Sequence, residues 1–252
     1  MDLLDVSHEF DSVRDVRVAV RGVSLRIDPG EFVVIVGPSG CGKSTLLNIV
    51  AGFQEPSSGV ALVDGIRVVG PGADRGMVFQ QPRLFPWMSV RKNIEFGPLM
   101  AGRRPDERRR MSDDSLALVG LTDVADRAPY ELSGGMQQRA AIARALANHP
   151  RVLLMDEPFS ALDALTRERL QDELLAIWRR TGVTVVFVTH SVDEAVYLAT
   201  RVIVMRAHPG EVILERRTPW TADGDLDNRR ADPRFAALRE EVTHVLRTSA
   251  FE

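Results

Sequence analysis

Residues 32–45 read Phe32-Val33-Val34-Ile35-Val36-Gly37-Pro38-Ser39-Gly40-Cys41-Gly42-Lys43-Ser44-Thr45. Five apolar residues in a row are the pattern of a strand buried on both faces, as in a parallel sheet. The glycine-rich turn that follows has the spacing of a phosphate-binding loop, and helical periodicity resumes directly after it. Glycines let the backbone curl so that successive N–H groups point at phosphate oxygens, and the helix start adds the positive end of its dipole. Gly37, Pro38, Ser39, Gly40, Cys41, Gly42 and Thr45 are therefore candidate phosphate contacts. Lys43 is placed to reach the β and γ phosphates, and the Ser44 hydroxyl to hold a Mg²⁺ ion that bridges them.

Outward from this loop, short β-branched runs at 77–79, 152–155, 184–188 and 202–205 alternate with longer helical patterns. That alternation predicts an α/β fold with a mainly parallel sheet. Residues 81–150 have helical apolar spacing and are expected to form a helical subdomain inserted into the sheet domain. The stretch before Phe32 and residues 60–69 read as an antiparallel β subdomain, with 11–20 irregular. After 205 a short tail is expected to hold a helix at 234–246, with Asp232 as N-cap and Pro233 at its first position. Residues 1–252 are thus expected to be one domain.

A chain of 252 residues that is 44% hydrophobic has enough apolar content for a core, which excludes disorder as its main state. Its 35 acidic and 32 basic residues leave a net charge of -3, which excludes a nucleic-acid binder that relies on overall positive charge. No nucleic-acid partner is expected. Only two of the basic residues are lysines, Lys43 and Lys92, so a lysine inside the glycine loop is informative. No apolar run approaches the roughly 20 residues that span a bilayer. Acidic Asp2 and Asp5 stand where a secretory leader carries positive charge, so a cytosolic location is expected. The single cysteine, Cys41, lies beside Lys43 and a helix start, an environment that lowers a thiol pKa. Alkylating it is expected to block nucleotide binding.

A second element narrows the chemistry. In Val152-Leu153-Leu154-Met155-Asp156-Glu157-Pro158 a buried strand delivers Asp156 to a Mg²⁺ ion at its C-terminal end, where ligands collect in α/β sheets. Glu157 can orient or deprotonate an attacking water, which favours hydrolysis over transfer to a small molecule. Between the two elements stands Leu132-Ser133-Gly134-Gly135-Met136-Gln137-Gln138-Arg139. Ser133 reads as an N-cap, and the glycines leave the first turn open. This is either an ordinary capped helix or a second anion site. Two such helix starts with one metal-binding strand end suggest that the second serves the nucleotide of another copy.

Taken together, these residues resemble the ATP-binding subunits of ABC transporters over nearly the whole chain. Leu132 to Arg139, with Ser133, Gly134, Gly135 and Gln137, looks like the signature sequence of that family. Gln80 looks like its Q-loop glutamine, Ser160-Ala161-Leu162-Asp163 like its D-loop, and His190 like its switch histidine. The resemblance implies a head-to-tail homodimer in which the glycine loop of one subunit and the signature of the other enclose each ATP. It gives Glu157, His190, Lys43 and Gln80 catalytic roles and assigns Gln80 to the metal or water and to sensing a membrane permease. Phe10 stands where the family stacks an aromatic on adenine, or else is a plain core phenylalanine. Ser191 departs from the family by following the histidine where aspartate is common.

Asp163-Ala164-Leu165-Thr166-Arg167 and Asp193-Glu194-Ala195-Val196-Tyr197-Leu198 look closest to importers of nitrate, sulfonate and taurine. An exporter ATPase and a soluble ABC ATPase remain as alternatives. An importer implies transmembrane permease subunits, an extracytoplasmic solute-binding protein, and a peripheral place on the cytoplasmic face of the membrane. Arg83-Leu84-Phe85-Pro86-Trp87-Met88 offers either an aromatic anchor for the permease or filling for the subdomain core. The arginines within 103–110 read as a solvated helix face or a contact with anionic lipid.

Overall fold

Residues Phe32–Val36 form β3, and all five are buried. The computed structural model describes residues 1–11, 16–220 and 229–249. Internal contacts divide the chain into two units, one of Met1–Gly72 with everything from Thr184 onward, the other Ala73–Val183.

In the first unit β3 lies between two parallel neighbours, β8 (Thr184–Thr189) and β9 (Arg201–Arg206), with Val36 paired to Thr189 on one side and to Val204 on the other. Buried Val, Ile and Phe side chains on both faces explain why these runs are continuously apolar rather than alternating. A separate antiparallel sheet has the order β2-β1-β4-β5, built from β1 (Asp2–Asp11), β2 (Val16–Arg26), β4 (Ser58–Val63) and β5 (Ile66–Arg67). Asp64 and Gly65 join its last two strands with φ of 50° and 76°, the geometry of a tight two-residue hairpin. The expectation of irregular chain at 11–20 is corrected from Val16 onward, where β2 begins; residues 12–15 lie outside the described residues.

The stretch after 205 holds more than a helix. β10 (Glu211–Arg217) returns antiparallel to β9 as an edge strand whose exposed charges mask its strand character in the sequence. The final helix, α7 (Pro233–Thr248), has the expected start: Asp232 accepts from the Arg234 amide at 2.8 Å. Trp220 and Arg229 fasten this region to α6 (Val192–Leu198) by donating to the carbonyls of Val196 and Tyr197 at 2.8 and 2.7 Å.

In the second unit β6 (Arg75–Val78) pairs in parallel with β7 (Val152–Asp156), and Val78 faces Met155. Between them in sequence come α2 (Val90–Met100), α3 (Pro105–Leu118) and α4 (Gly134–Leu146), and α5 (Ala164–Thr181) follows. The unit extends beyond 81–150 at both ends because it includes this strand pair and α5. Buried Arg91 ties α2 to α3, donating to the Ser112 hydroxyl at 3.1 Å and pairing with Asp113. Among the described residues no helix is long and apolar enough to cross a membrane.

Candidate functional site

Each unit brings sequence-predicted site residues to the same end of a parallel strand pair. In the first, Val36 and Thr189 are register partners, so the glycine loop from Gly37 and the residue His190 leave the sheet side by side. In the second, Val78 and Met155 are partners, so Gln80 and the Asp156-Glu157 pair emerge at one edge. C-terminal strand ends are where open α/β sheets collect their ligands.

The glycine loop is shaped by its neighbours as much as by its own flexibility. Gly42 has φ 87°, and a Cβ there would stand 2.5 Å from Val20 Cγ2 and 2.7 Å from the Ala19 carbonyl oxygen. A Cβ on Gly37 would meet the Met205 carbonyl oxygen at 2.5 Å. Helix α1 (Lys43–Ala51) starts from Gly42 with no side-chain cap and no acidic residue in its first turn. Its positive end is thus left to an anion, which fits a phosphate group. Lys43 is 5% exposed, and its Nζ donates to the carbonyls of Gly37 at 2.8 Å and Pro38 at 2.9 Å. Ser44 is exposed on the same first turn.

The expectation for Cys41 is overturned. The side chain is fully buried, and desolvation pushes its thiol above the ordinary value, only partly offset by the Lys43 ammonium. Lys43 and a helix start next to a cysteine signal a reactive thiol only where solvent reaches it. Alkylation of the folded protein is therefore expected to be slow and to proceed only as the loop opens, so it reports loop opening rather than a reactive thiol.

Around His190 the serine that departs from the family pattern still caps the next helix: Ser191 Oγ accepts from the Glu194 amide at 3.3 Å. The Thr189 hydroxyl donates to the Glu194 carboxylate at 2.5 Å and accepts from the Ser191 amide at 3.0 Å. This relay pins the backbone on both sides of His190, whose side chain is exposed. Phe10 lies on β1, 42% exposed, in a T-shaped contact with His8 whose ring centroid is 4.6 Å away. It does not fill the core.

In the second unit Glu157 adopts φ 44°, left-handed backbone that a non-glycine residue occupies at a cost of about 1–3 kcal/mol. The Ser160 amide and hydroxyl donate to the Glu157 carbonyl at 3.2 and 2.9 Å and hold that turn closed. Arg167 then donates to the carbonyls of Phe159 at 3.3 Å and Leu162 at 2.8 Å, fixing the approach to Asp163. Asp163 caps α5 by accepting from the Thr166 amide at 3.0 Å, which holds its carboxyl below the usual value. Ser133 caps α4 through the Met136 amide at 3.4 Å, and Gln137 donates to the Leu132 carbonyl at 3.2 Å. Gly134 is exposed, and a Cβ on Gly135 would press to 3.1 Å from Thr166 Cγ2.

Gln80 is exposed, and the chain just after it is anchored by α4. Arg144 donates to the carbonyls of Pro82 at 2.9 Å and Arg83 at 2.7 Å. Beyond, the buried Asn93 amide donates to the Phe85, Met88 and Ser89 carbonyls and accepts from the Phe85 amide at 2.7 Å. In this loop Phe85 packs on Phe96 at 4.8 Å, whereas Trp87 is 75% exposed and fills no core. Sequence reasoning missed the structural work of Arg144, Arg167, Asn93 and Thr189. Only Arg167 carried a signal, as the end of a family-like pentapeptide.

Residues 20–160 match the sequence profile described as ABC transporter. A taurine import ATP-binding protein of Jannaschia is 51% identical over 96% of this chain and 92% of its own length. A nitrate import ATP-binding protein of Synechocystis is 46% identical over 98% of this chain and 95% of its own. Among solved structures, the dimeric ATP-binding cassette MJ0796 with ADP and Pi matches at TM-score 0.75 and 36% identity, covering 87% of this chain and 99% of that one. The cbiO1 protein of Clostridium perfringens matches at TM-score 0.76 and 27% identity, covering 96% and 98%. With this profile and these relatives spanning most of its length, the chain belongs to the ABC transporter family as an ATP-binding cassette.

Proposed function

We propose that the chain is the ATP-hydrolysing subunit of an ABC import system for a small anionic or zwitterionic solute of the nitrate, sulfonate or taurine kind. The observation that carries the catalytic part is the paired strand ends, which deliver the glycine loop with His190 and Gln80 with Asp156-Glu157. The importer part rests on relatives named for taurine and nitrate import.

In this reading the amides of Gly37 to Thr45 bind the ATP phosphates at the uncapped start of α1. Lys43 exchanges the Gly37 and Pro38 carbonyls for phosphate oxygens. The oxygen donors Ser44, Gln80 and Asp156 suit Mg²⁺, a hard cation that offsets phosphate charge when bound. Among the described residues no three of His, Cys, Asp and Glu cluster to hold a metal, so these donors are proposed to act together with the phosphates. Glu157 orients and deprotonates the attacking water, and His190 stabilises charge growing on the γ-phosphate. Phe10 offers its exposed face to the adenine.

A second copy of the chain is proposed to supply Ser133, Gly134, Gly135 and Gln137 to that nucleotide, with Asp163 at the same dimer contact. Membrane crossing is assigned to separate permease subunits, which hold this chain at the cytoplasmic face. An extracytoplasmic solute-binding protein delivers the solute to them. The exposed Trp87 beside Phe85 suits an anchor for a permease helix. The test is to purify the chain from membranes, identify what travels with it, and measure uptake of labelled taurine and nitrate in a deletion strain. Recovery of a permease and loss of uptake of one of these solutes is expected. Recovery of no membrane protein would favour a soluble ATPase, and a solute-export defect would favour an exporter.

A further inference from the structure

Outside every nucleotide motif, the turn between β9 and β10 lies directly against the back of the glycine loop. Gly210 closes this turn onto β2: its amide donates to the Ala19 carbonyl at 3.1 Å, and the Arg21 amide donates to its carbonyl at 2.9 Å. A Cβ on Gly210 would lie 2.2 Å from the Cys41 carbonyl oxygen and 2.5 Å from that of Ala19. Both are backbone atoms, so no side-chain rotation relieves the overlap. Gly210 lacks the left-handed φ of Gly42, so glycine is required here for close approach rather than for conformation. Met205, where β9 nears its end, touches the same loop at Gly37. The glycine loop is therefore seated on a floor made of Ala19, Val20, Met205 and Gly210, and Cys41 is sealed inside it.

We propose that Gly210 is a positioning residue for ATP binding: the β9–β10 turn sets the curvature of the phosphate loop by backbone contact with Cys41. Any side chain at 210 pushes the Cys41 carbonyl toward the space the phosphates occupy and turns the loop amides away from their target. The ATP half of this inference rests on the proposed ATPase function, whereas the seating of the loop does not.

Because Cys41 is the only cysteine, a thiol reagent reads the seating of the loop without nucleotide. Gly210→Ala is compared with Gly70→Ala, where a new Cβ meets nothing within 4 Å. In Gly210→Ala the labelling rate of Cys41 should rise about tenfold or more. Its Kd for ATP should rise at least about tenfold, since small misplacements of a binding group are costly. Gly70→Ala should match the parent in both. Unchanged ATP affinity in folded Gly210→Ala overturns the proposal, as does an equal loss in Gly70→Ala. If Gly210→Ala does not fold, hydrogen exchange of the parent decides: nucleotide should slow exchange at the Arg21 and Gly210 amides as well as in the loop. Protection confined to residues 37–45 would overturn it. A parent that binds no ATP would sink the ATPase reading and leave the labelling result intact.

Discussion

Helices α1 and α4 both begin at glycine-rich sequence proposed to face nucleotide phosphates, yet they are built in opposite ways. The start of α1 has no side-chain cap; its shape comes from backbone packed on backbone, with the Lys43 ammonium buried across the loop. The start of α4 is capped by the exposed Ser133 through a long 3.4 Å bond, and it is fastened elsewhere by Arg144. A site made of close backbone contacts tolerates almost no change in side-chain volume. A site made of side-chain caps and tethers gives way in graded steps.

Substitutions at α1 should therefore be the most damaging. Lys43→Arg keeps the charge, but a planar guanidinium does not fit among the Gly37 and Pro38 carbonyls and the Cys41 sulfur. Steady-state ATP hydrolysis should fall by about 100-fold or more, while exposed Lys92→Arg leaves it unchanged. Full activity in Lys43→Arg would remove the contrast between the helix starts.

Next in size is the tether. Arg144→Gln removes two charge-assisted bonds to the chain after Gln80 and should lower stability by about 1–2 kcal/mol, seen in the urea midpoint. Arg144→Lys should recover part of that. Ser133→Ala should cost no more than about 1 kcal/mol, because its cap bond is long and exposed. A larger loss of stability there would show that α4 depends on its cap as α1 depends on its loop.

The smallest effect is a pH dependence at Asp163. The Thr166 amide lowers its folded pKa below 3.8, so the cap contributes above that value and is lost as pH falls through the lower folded value. Asp163→Asn should remove this part of the acid sensitivity while leaving neutral-pH stability nearly unchanged, as acid titration of the unfolding midpoint would show.

The same contrast explains what was legible in the sequence. The runs at 152–155 and 184–188 could be read because burial on both faces selects apolar and β-branched residues, and the strands exceed them by one residue each. Ser133 and Asp232 could be read as caps because a cap is local chemistry, set within three residues. Features set by distant partners could not. The edge strand β10 carries charges that look like loop, Arg144 reaches carbonyls 61 and 62 residues away, and the left-handed Glu157 leaves no mark in composition. Cys41 was misread for the same reason: its neighbours in sequence suggested reactivity, whereas the burial that suppresses it is tertiary.

The central claim is that Glu157, held in strained backbone at the end of β7, activates water for ATP hydrolysis. The direct measurement is single-turnover ATP hydrolysis by Glu157→Gln, with the oligomeric state followed by size-exclusion chromatography in the presence of ATP and Mg²⁺. Glutamine keeps the shape but cannot take the proton, so hydrolysis should slow by about 100-fold or more while ATP still binds and a dimer accumulates. Hydrolysis at the parent rate, with no ATP-dependent dimer, would contradict it.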